Sequence, residues 1–438
     1  RKCNADPKWA ALSLTIAYFS ALHINRLTTK TLIWQHSPTT QIMSKTMNSC
    51  FLLCSRFLFI EYHTQFIYLP KYEQFYSEHW QQLQQCMQIA KNLGANSHGQ
   101  LGLGFESELC MSPQLLTKLS FSSAGVRTIR GGGGHVMVLD NCGRLHTCGW
   151  NNRGQLGLDS DDELIACGWD ISGCITVTKR LYVWGSNCFQ QLGVCQRGFT
   201  AVRRPLTLTL PRGDTAHRIS FGLRHCVILT ENNKIYIFGR LRVNDPQPAD
   251  VTITSTTLNR TAVMKVLPST GSELRFLNVA SGQNHLLIQV ADSAGCRRII
   301  ALGDNKYGQS NSFQFDADVK QLTCGWTHNA VLLKNKNIML WGRNSYGQLG
   351  LGAASDSKPT PLALKLPDDV VPARLHLGAE HGLVRSTKGA VYTWGWNEHG
   401  NCGNDTTENS YSPTLINLPG SCKVAGAGAG FCYAVCEV

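Results

Sequence analysis

An all-β chain, folded as a seven-bladed β-propeller over residues 94–438, follows from three features of the sequence. Glycine is abundant, 41 of 438 residues, where ordinary proteins carry ~7%, and that calls for many turns. Hydrophobic residues make up 43% and charged residues only 16%, which argues against disorder and against long helices or coiled coils. From Gly94 onward a unit of about 49 residues recurs, the period of a repeat architecture.

Each unit opens on a Gly-x-x-His turn followed by an apolar run, as in Gly222-Leu223-Arg224-His225-Cys226-Val227-Ile228-Leu229 and Gly282-Gln283-Asn284-His285-Leu286-Leu287-Ile288. Turn formers such as Asn141-Cys142-Gly143 and Asn335-Lys336-Asn337 come next. A second apolar run then ends in an aromatic residue and glycine, at Trp184-Gly185, Phe238-Gly239, Trp341-Gly342 and Trp394-Gly395. Polar loops close the unit at 96–102, 152–157, 187–193, 305–309, 344–350 and 397–403. Short apolar runs separated by Asn and Gly turns predict antiparallel hairpins, so each unit is a small meander.

Seven turn slots follow one another, at His135, Ile171, His225, His285, His328, His381 and Phe431. Sheets of this size cannot bury both faces alone and gain stability by radial packing into a closed ring. Helical solenoids would need a 3.6-residue period, which is absent. The repeat begins mid-unit near Leu93 and ends on the half that its start lacks, so one blade is expected to be shared between the two ends.

Residues 1–93 keep neither a period of 2 nor one of 3.6, and are expected to be a poorly ordered extension rather than a domain. The apolar stretch from Ala10 to Ile24 lacks a small-x-small cleavage site, and Cys50 to Ile60 is too short to cross a bilayer, so no membrane span is expected. Two units depart from the pattern. The first two slots are only 36 residues apart, with Asp159 to Glu163 running almost directly into Leu164, so a strand is expected to be missing there and the second unit's completeness is in question. After Phe238-Gly239-Arg240 the closing loop gives way to a Thr- and Pro-rich insertion, about Leu241 to Leu274, expected to be a surface excursion.

The formal charge of +12 is spread thinly: 9 basic and 4 acidic side chains in residues 1–93, 32 and 25 in the remainder. No Lys/Arg-rich run appears, so nucleic acid is not an expected partner. The 18 cysteines contain no Cys-x-x-Cys, which leaves no metal tetrad in view and favours reduced thiols. Gly131 to Gly134 is followed by a strand and by no Gly-Lys-Ser/Thr, so it is not a phosphate loop. No nucleophile elbow, carboxylate pair or metal cluster is present; hydrolase, transferase and oxidoreductase readings have no residue to rest on, and no cofactor is expected.

Recurrence at one register makes His135, His225, His285, His328 and His381 structural, each expected to close the turn of its own blade. The position before them varies while the turn is kept: Asp170, Arg224, Asn284, Thr327, Glu380. Variation on a fixed scaffold is where recognition is usually placed, so Arg224, Asn284 and Thr327 are candidate partner-binding residues.

These turns and loops resemble the repeats of the regulator of chromosome condensation family, over roughly Gly94 to Val438. Segments 96–104, 129–138, 166–170, 222–225 and 325–328 are most similar to its secretion-regulating guanine nucleotide exchange branch. The resemblance implies a protein-binding propeller in secretion or small-GTPase control, with a small GTPase, an exocyst subunit or both as partners, and the cytoplasm as its compartment with the nucleus as a second. It also implies Asp170 and Glu380 as candidate exchange residues, although Asp170 has the alternative of bonding its own turn. A scaffold without exchange activity and a chromatin-binding propeller are the other readings.

Overall fold

A computed structural model describes residues 88–115, 125–157, 164–194, 199–243, 248–258, 261–271 and 273–437. Of the expected extension, residues 1–87 lie outside the described residues, and 88–93 form most of the first strand. β1 (Gln88–Gly94) and β2 (Gln114–Leu115) come first. Blade 1 is β3 (Val126–Gly131), β4 (His135–Asp140) and β5 (Leu145–Gly149). Blade 2 is β6 (Leu164–Cys167), β7 (Ile171–Ile175), β8 (Leu181–Ser186) and β9 (Ala201–Thr207). Blade 3 holds β10 (Ala216–Phe221), β11 (His225–Thr230), β12 (Ile235–Gly239), β13 (Val251–Leu258) and β14 (Thr261–Pro268). Blade 4 is β15 (Arg275–Ser281), β16 (His285–Ala291), β17 (Arg297–Gly303) and β18 (Phe313–Gln314). Blade 5 is β19 (Val319–Cys324), β20 (His328–Leu333), β21 (Ile338–Arg343) and β22 (Ser357–Ala363). Blade 6 is β23 (Pro372–Leu377), β24 (His381–Ser386), β25 (Val391–Gly395) and β26 (Ser410–Leu415). β27 (Ser421–Ala427) and β28 (Phe431–Glu437) complete blade 7, whose strand order is β2-β1-β28-β27.

The first strand of each sheet meets the first strands of both neighbours, from β27 against β3 round to β23 against β27, so the seven sheets close a ring. β1 pairs with β28 over seven residues, from Gln88 with Glu437 to Gly94 with Phe431. The core lies between blades, as where Trp184 and Ile171 of blade 2 meet Phe221 and Ile219 of blade 3.

Two irregular units differ from expectation. The second unit is a complete four-stranded blade; the short spacing leaves blade 1 with three strands among the described residues, because the stretch lost is the outer-strand segment that precedes β6. The insertion is no surface excursion. β14 pairs with β12, from Ile235 with Val266 to Phe238 with Val263, and β13 adds a fifth strand outside it. Val251, Val263 and Val266 are buried. Thr, Ile and Val alternate through this stretch, and β-branched side chains fit a pleated sheet better than an open loop.

The tryptophan before the closing glycine in blades 2, 5 and 6 shows how one blade is tied to the next. Trp184 Nε1 donates to the Gln155 carbonyl at 3.0 Å and Trp394 Nε1 to the Gln348 carbonyl at 2.9 Å. In blade 5 the corresponding Gln309 carbonyl accepts from Asn329 Nδ2 at 2.8 Å, and Trp341 Nε1 has no partner. Trp341 instead packs edge-on against Phe313, with ring centroids 5.5 Å apart. Trp394→Phe should therefore cost about 1–2 kcal/mol more than Trp341→Phe, since only the former removes a buried hydrogen bond. Urea unfolding of the two variants checks this, and equal losses would contradict it.

Candidate functional site

In an antiparallel meander the first and third connections emerge at the same end, so all the Gly-x-x-His turns and all the post-glycine loops share one face of the ring. A backbone hydrogen bond couples the two in every blade. The residue after the glycine that ends the third strand donates its N–H to the carbonyl of the residue before the slot: Trp150 to Gly134, Ser186 to Asp170, Arg240 to Arg224, Asp304 to Asn284, Arg343 to Thr327, Trp396 to Glu380 and Ala95 to Gly430, at 2.7–3.0 Å. Side chains at these paired positions are thereby neighbours in each blade.

Glycine is required at both ends of this arrangement, for different reasons. The post-aromatic Gly342 has φ +110, which side-chain-bearing residues avoid. Gly282 of the turn has ordinary φ, but a Cβ there would collide with the His285 ring. The closing loops are pinned by their asparagines, with Asn344 Oδ1 accepting from Leu349 N–H at 3.0 Å. In blade 1 the equivalent anchor is Asn151, which accepts from Leu156 N–H at 3.1 Å, one residue before the loop start expected from the sequence.

Among the described residues, backbone hydrogen bonds link the turns around the axis at six of the seven junctions, the one between Trp169 and Leu223 having none. Gly133 N–H donates to Trp169, Leu223 to Gln283, Gln283 to Trp326, Trp326 to Ala379, Ala379 to Ala429 and Ala429 to Gly132, at 2.8–3.1 Å. Inside this ring is a cup of about 620 Å³ with a strongly aromatic wall. Trp169 of blade 2 and Trp326 of blade 5 meet across it, with ring centroids 5.2 Å apart. Trp150 packs on His98 at 4.9 Å and Trp396 on His399 at 5.0 Å.

The five histidines lie behind this face, fully buried. Burial pushes His135, His285 and His381 down to about 4 and His225 and His328 to about 3, so they are neutral at pH 7. Three of them reach into the next blade rather than bonding their own turn. His135 Nε2 is 2.8 Å from Ser172 Oγ, His285 Nε2 is 2.7 Å from Asn329 Oδ1, and His381 Nε2 is 3.3 Å from Cys432 Sγ. Each partner directly follows the slot residue of the next blade. That position holds Leu286 after His225 and Gly382 after His328, so those two rings meet no polar side chain there.

The variable positions differ in how free they are. Glu380 is buried, and both oxygens are engaged: Oε1 accepts from Arg343 Nη1 at 3.3 Å and Thr327 Oγ1 at 3.5 Å, Oε2 from Gln348 Nε2 at 2.6 Å. Burial raises its pKa, opposed by Arg343 and by these hydrogen bonds. Arg343 is itself held over two rings, 4.8 Å from Tyr346 and 5.4 Å from Tyr307. Thr327 is buried beside it. Asp170 is half-buried; burial raises its pKa, while a hydrogen bond from Ser186 and the charge of Arg153 lower it. Asn284 is half-buried, and Arg224 is exposed.

Among the described residues no group of three or more His, Cys, Asp or Glu side chains could hold a metal ion, and no helix is long and apolar enough to cross a membrane. Reading the sequence one slot at a time missed the residue after the turn glycine and the residue after the aromatic-Gly pair. These place Trp169, Trp326, Trp150, Arg240 and Trp396 on the face, and their signal was the same one that marked Asp170 and Arg224: variation at fixed register.

Residues 90–436 match the RCC1-like domain. The mouse secretion-regulating guanine nucleotide exchange factor is 30% identical over 402 residues, covering 79% of this chain and 83% of that protein. Its Bos taurus counterpart is 29% identical over 409 residues, covering 79% and 82%. Among solved structures, human WBSCR16 superposes with a TM-score of 0.66 at 17% identity over 80% of this chain and all of the other. Prp20p of Saccharomyces cerevisiae gives 0.66 at 17% over 82% and 95%. At those identities the two structures speak for the fold alone.

Proposed function

We propose, for a chain that belongs to the RCC1-like domain family, that it regulates a small GTPase by binding it on the face that carries the paired variable positions. What carries the reading is the concentration of variable side chains, from Trp150 and Asp170 round to Glu380 and Trp396, on one end of an otherwise repetitive ring. The relatives support it: the mouse and Bos taurus proteins are named as guanine nucleotide exchange factors, and Prp20p is described by its binding to Gsp1p and to histones. Exchange needs no covalent chemistry. It requires that the nucleotide-free GTPase be bound more tightly than the loaded one, and the two equilibria are then linked.

Capture of nucleotide-free but not GTP-loaded GTPases on the immobilised protein tests the reading, and equal or absent capture of both defeats it. Within it, Asp170 is the freer acid, since Glu380 is already engaged on both oxygens. Asp170→Asn should slow release of labelled GDP about ten- to a hundred-and-fifty-fold with the melt unchanged, the effect of losing about 1.5–3 kcal/mol from one charge-assisted contact. Unchanged release would return Asp170 to its bond with Ser186. A second reading, an adaptor without exchange activity that holds a secretory complex such as the exocyst, is favoured by the internal engagement of Glu380, and release that never accelerates while capture persists would select it. We place the protein in the cytoplasm, with the nucleus as the second compartment, on the strength of the cysteines that form no disulfide among the described residues.

A further inference from the structure

Blade 3 carries arginine at both of its paired positions. Arg240 N–H donates to the Arg224 carbonyl at 2.8 Å, so the two side chains leave the same point of the face. Both guanidinium groups lie over one ring: Arg224 Cζ is 4.9 Å and Arg240 Cζ 5.4 Å from the centroid of Phe189. Phe189 comes from the closing loop of blade 2, where its N–H donates to Gln191 Oε1 at 2.8 Å.

Both arginines are exposed, and among the described residues neither guanidinium has a carboxylate or a hydrogen-bond acceptor. Arg343, at the same position two blades on, is matched by Glu380. Asp170, the acid of the adjoining turn, has its charged form favoured by a hydrogen bond from Ser186 and by the charge of Arg153. Blade 3 has no closing loop after Gly239, because the chain leaves for the β13–β14 hairpin at the outer edge of the sheet.

Two like charges held on one ring repel each other, and an anion received by both relieves that repulsion. The ring also restrains two long side chains in advance, so less freedom is lost when they bind. A planar guanidinium accepts a carboxylate through two parallel hydrogen bonds. Phosphate sites commonly add free backbone N–H groups, and two of those nearby are spent here: Leu223 N–H on Gln283 and Arg240 N–H on Arg224.

We propose that Arg224, Arg240 and Phe189 form a docking site for an acidic segment of a partner protein, its side-chain carboxylates received by the two guanidinium groups. This rests on the reading of the face as the partner-binding surface and adds the chemistry of what binds there. The test is a fluorescence-anisotropy titration of the full chain with a short labelled Asp- and Glu-rich peptide. Arg224→Gln with Arg240→Gln should weaken binding about a hundredfold, about tenfold for each charge-assisted contact removed. Arg203→Gln with Arg204→Gln removes the same charge from exposed positions on β9 and should change it less than about twofold.

Equal weakening by the two pairs would reduce the effect to net charge and overturn the site, as would tighter binding of a phosphoserine peptide or displacement by inorganic phosphate. All four positions are exposed, so the melts of both variants should match the parent and keep the comparison interpretable. No GTPase enters the titration. Loss of peptide binding in the arginine variant upholds the site even if no GTPase is captured, whereas GTPase capture with peptide binding unchanged in that variant overturns the site alone.

Discussion

Deleting residues 421–438 should leave the protein unable to hold its native fold. The deletion removes β27 and β28, and with them the inner half of blade 7, leaving β1 without the strand it pairs with over its whole length. It also removes β27 from between β23 and β3, which opens the ring. Among the side chains lost are Cys422, Phe431, Cys432, Tyr433, Val435 and Cys436, all buried. Burying a large apolar side chain is worth about 1.5–3 kcal/mol, so the sum rivals the whole net stability of a folded chain, about 5–15 kcal/mol. Near-ultraviolet circular dichroism and a thermal melt would read the result. A truncated chain that melts like the parent would show that the ring does not depend on this closure.

Acid should unfold the protein between pH 6.5 and 4. His135, His285 and His381 are held neutral by burial, with pKa values near 4 against an ordinary 6.5. His225 and His328 lie lower still, near 3. The folded state therefore binds fewer protons than the unfolded chain across this window, so stability is fully present above pH 6.5 and falls as pH drops toward 4. Each histidine contributes a loss of about 3 kcal/mol by pH 4, at about 1.4 kcal/mol for every tenfold difference in proton affinity between the folded and unfolded chain, and five together exceed what the fold can spare. Tryptophan fluorescence against pH would show one steep transition. His225→Phe should move its midpoint to lower pH, since a ring without a titrating nitrogen already fills the same slot at Phe431. A chain that stays folded at pH 4 would contradict the argument.

The blade count and the unit boundaries were legible because they rest on local requirements. An aromatic-Gly pair must turn sharply, as Gly342 does with φ +110, and a Gly-x-x-His turn must leave room for its own ring, as Gly282 does for His285. Both needs are met within a few residues, so they recur as text at every unit. The Thr-rich insertion was misread for a related reason. Its β-branched alternation is a strand signal, but only an exposed edge, here β12, lets a hairpin pair there, and a single repeat of sequence does not say which edge is open.

By itself the sequence determined the fold class, the period, the glycine and histidine register, and which positions vary, all set by backbone geometry within one repeat. Tertiary structure alone decided which variable residues meet. Trp169 and Trp326 touch because closing seven blades brings blades 2 and 5 face to face across a narrow axis. His135 and His285 find partners, and His225 does not, because the residue that each ring reaches belongs to the next blade. Glu380 is engaged, and Arg224 has no carboxylate among the described residues, because their surroundings differ: Arg343 and Gln348 lie beside the first, Phe189 of blade 2 and Arg240 of its own blade beside the second. Contacts between blades depend on the radius and twist of the closed ring, and those are properties of all seven sheets packed together, which no stretch of residues specifies alone.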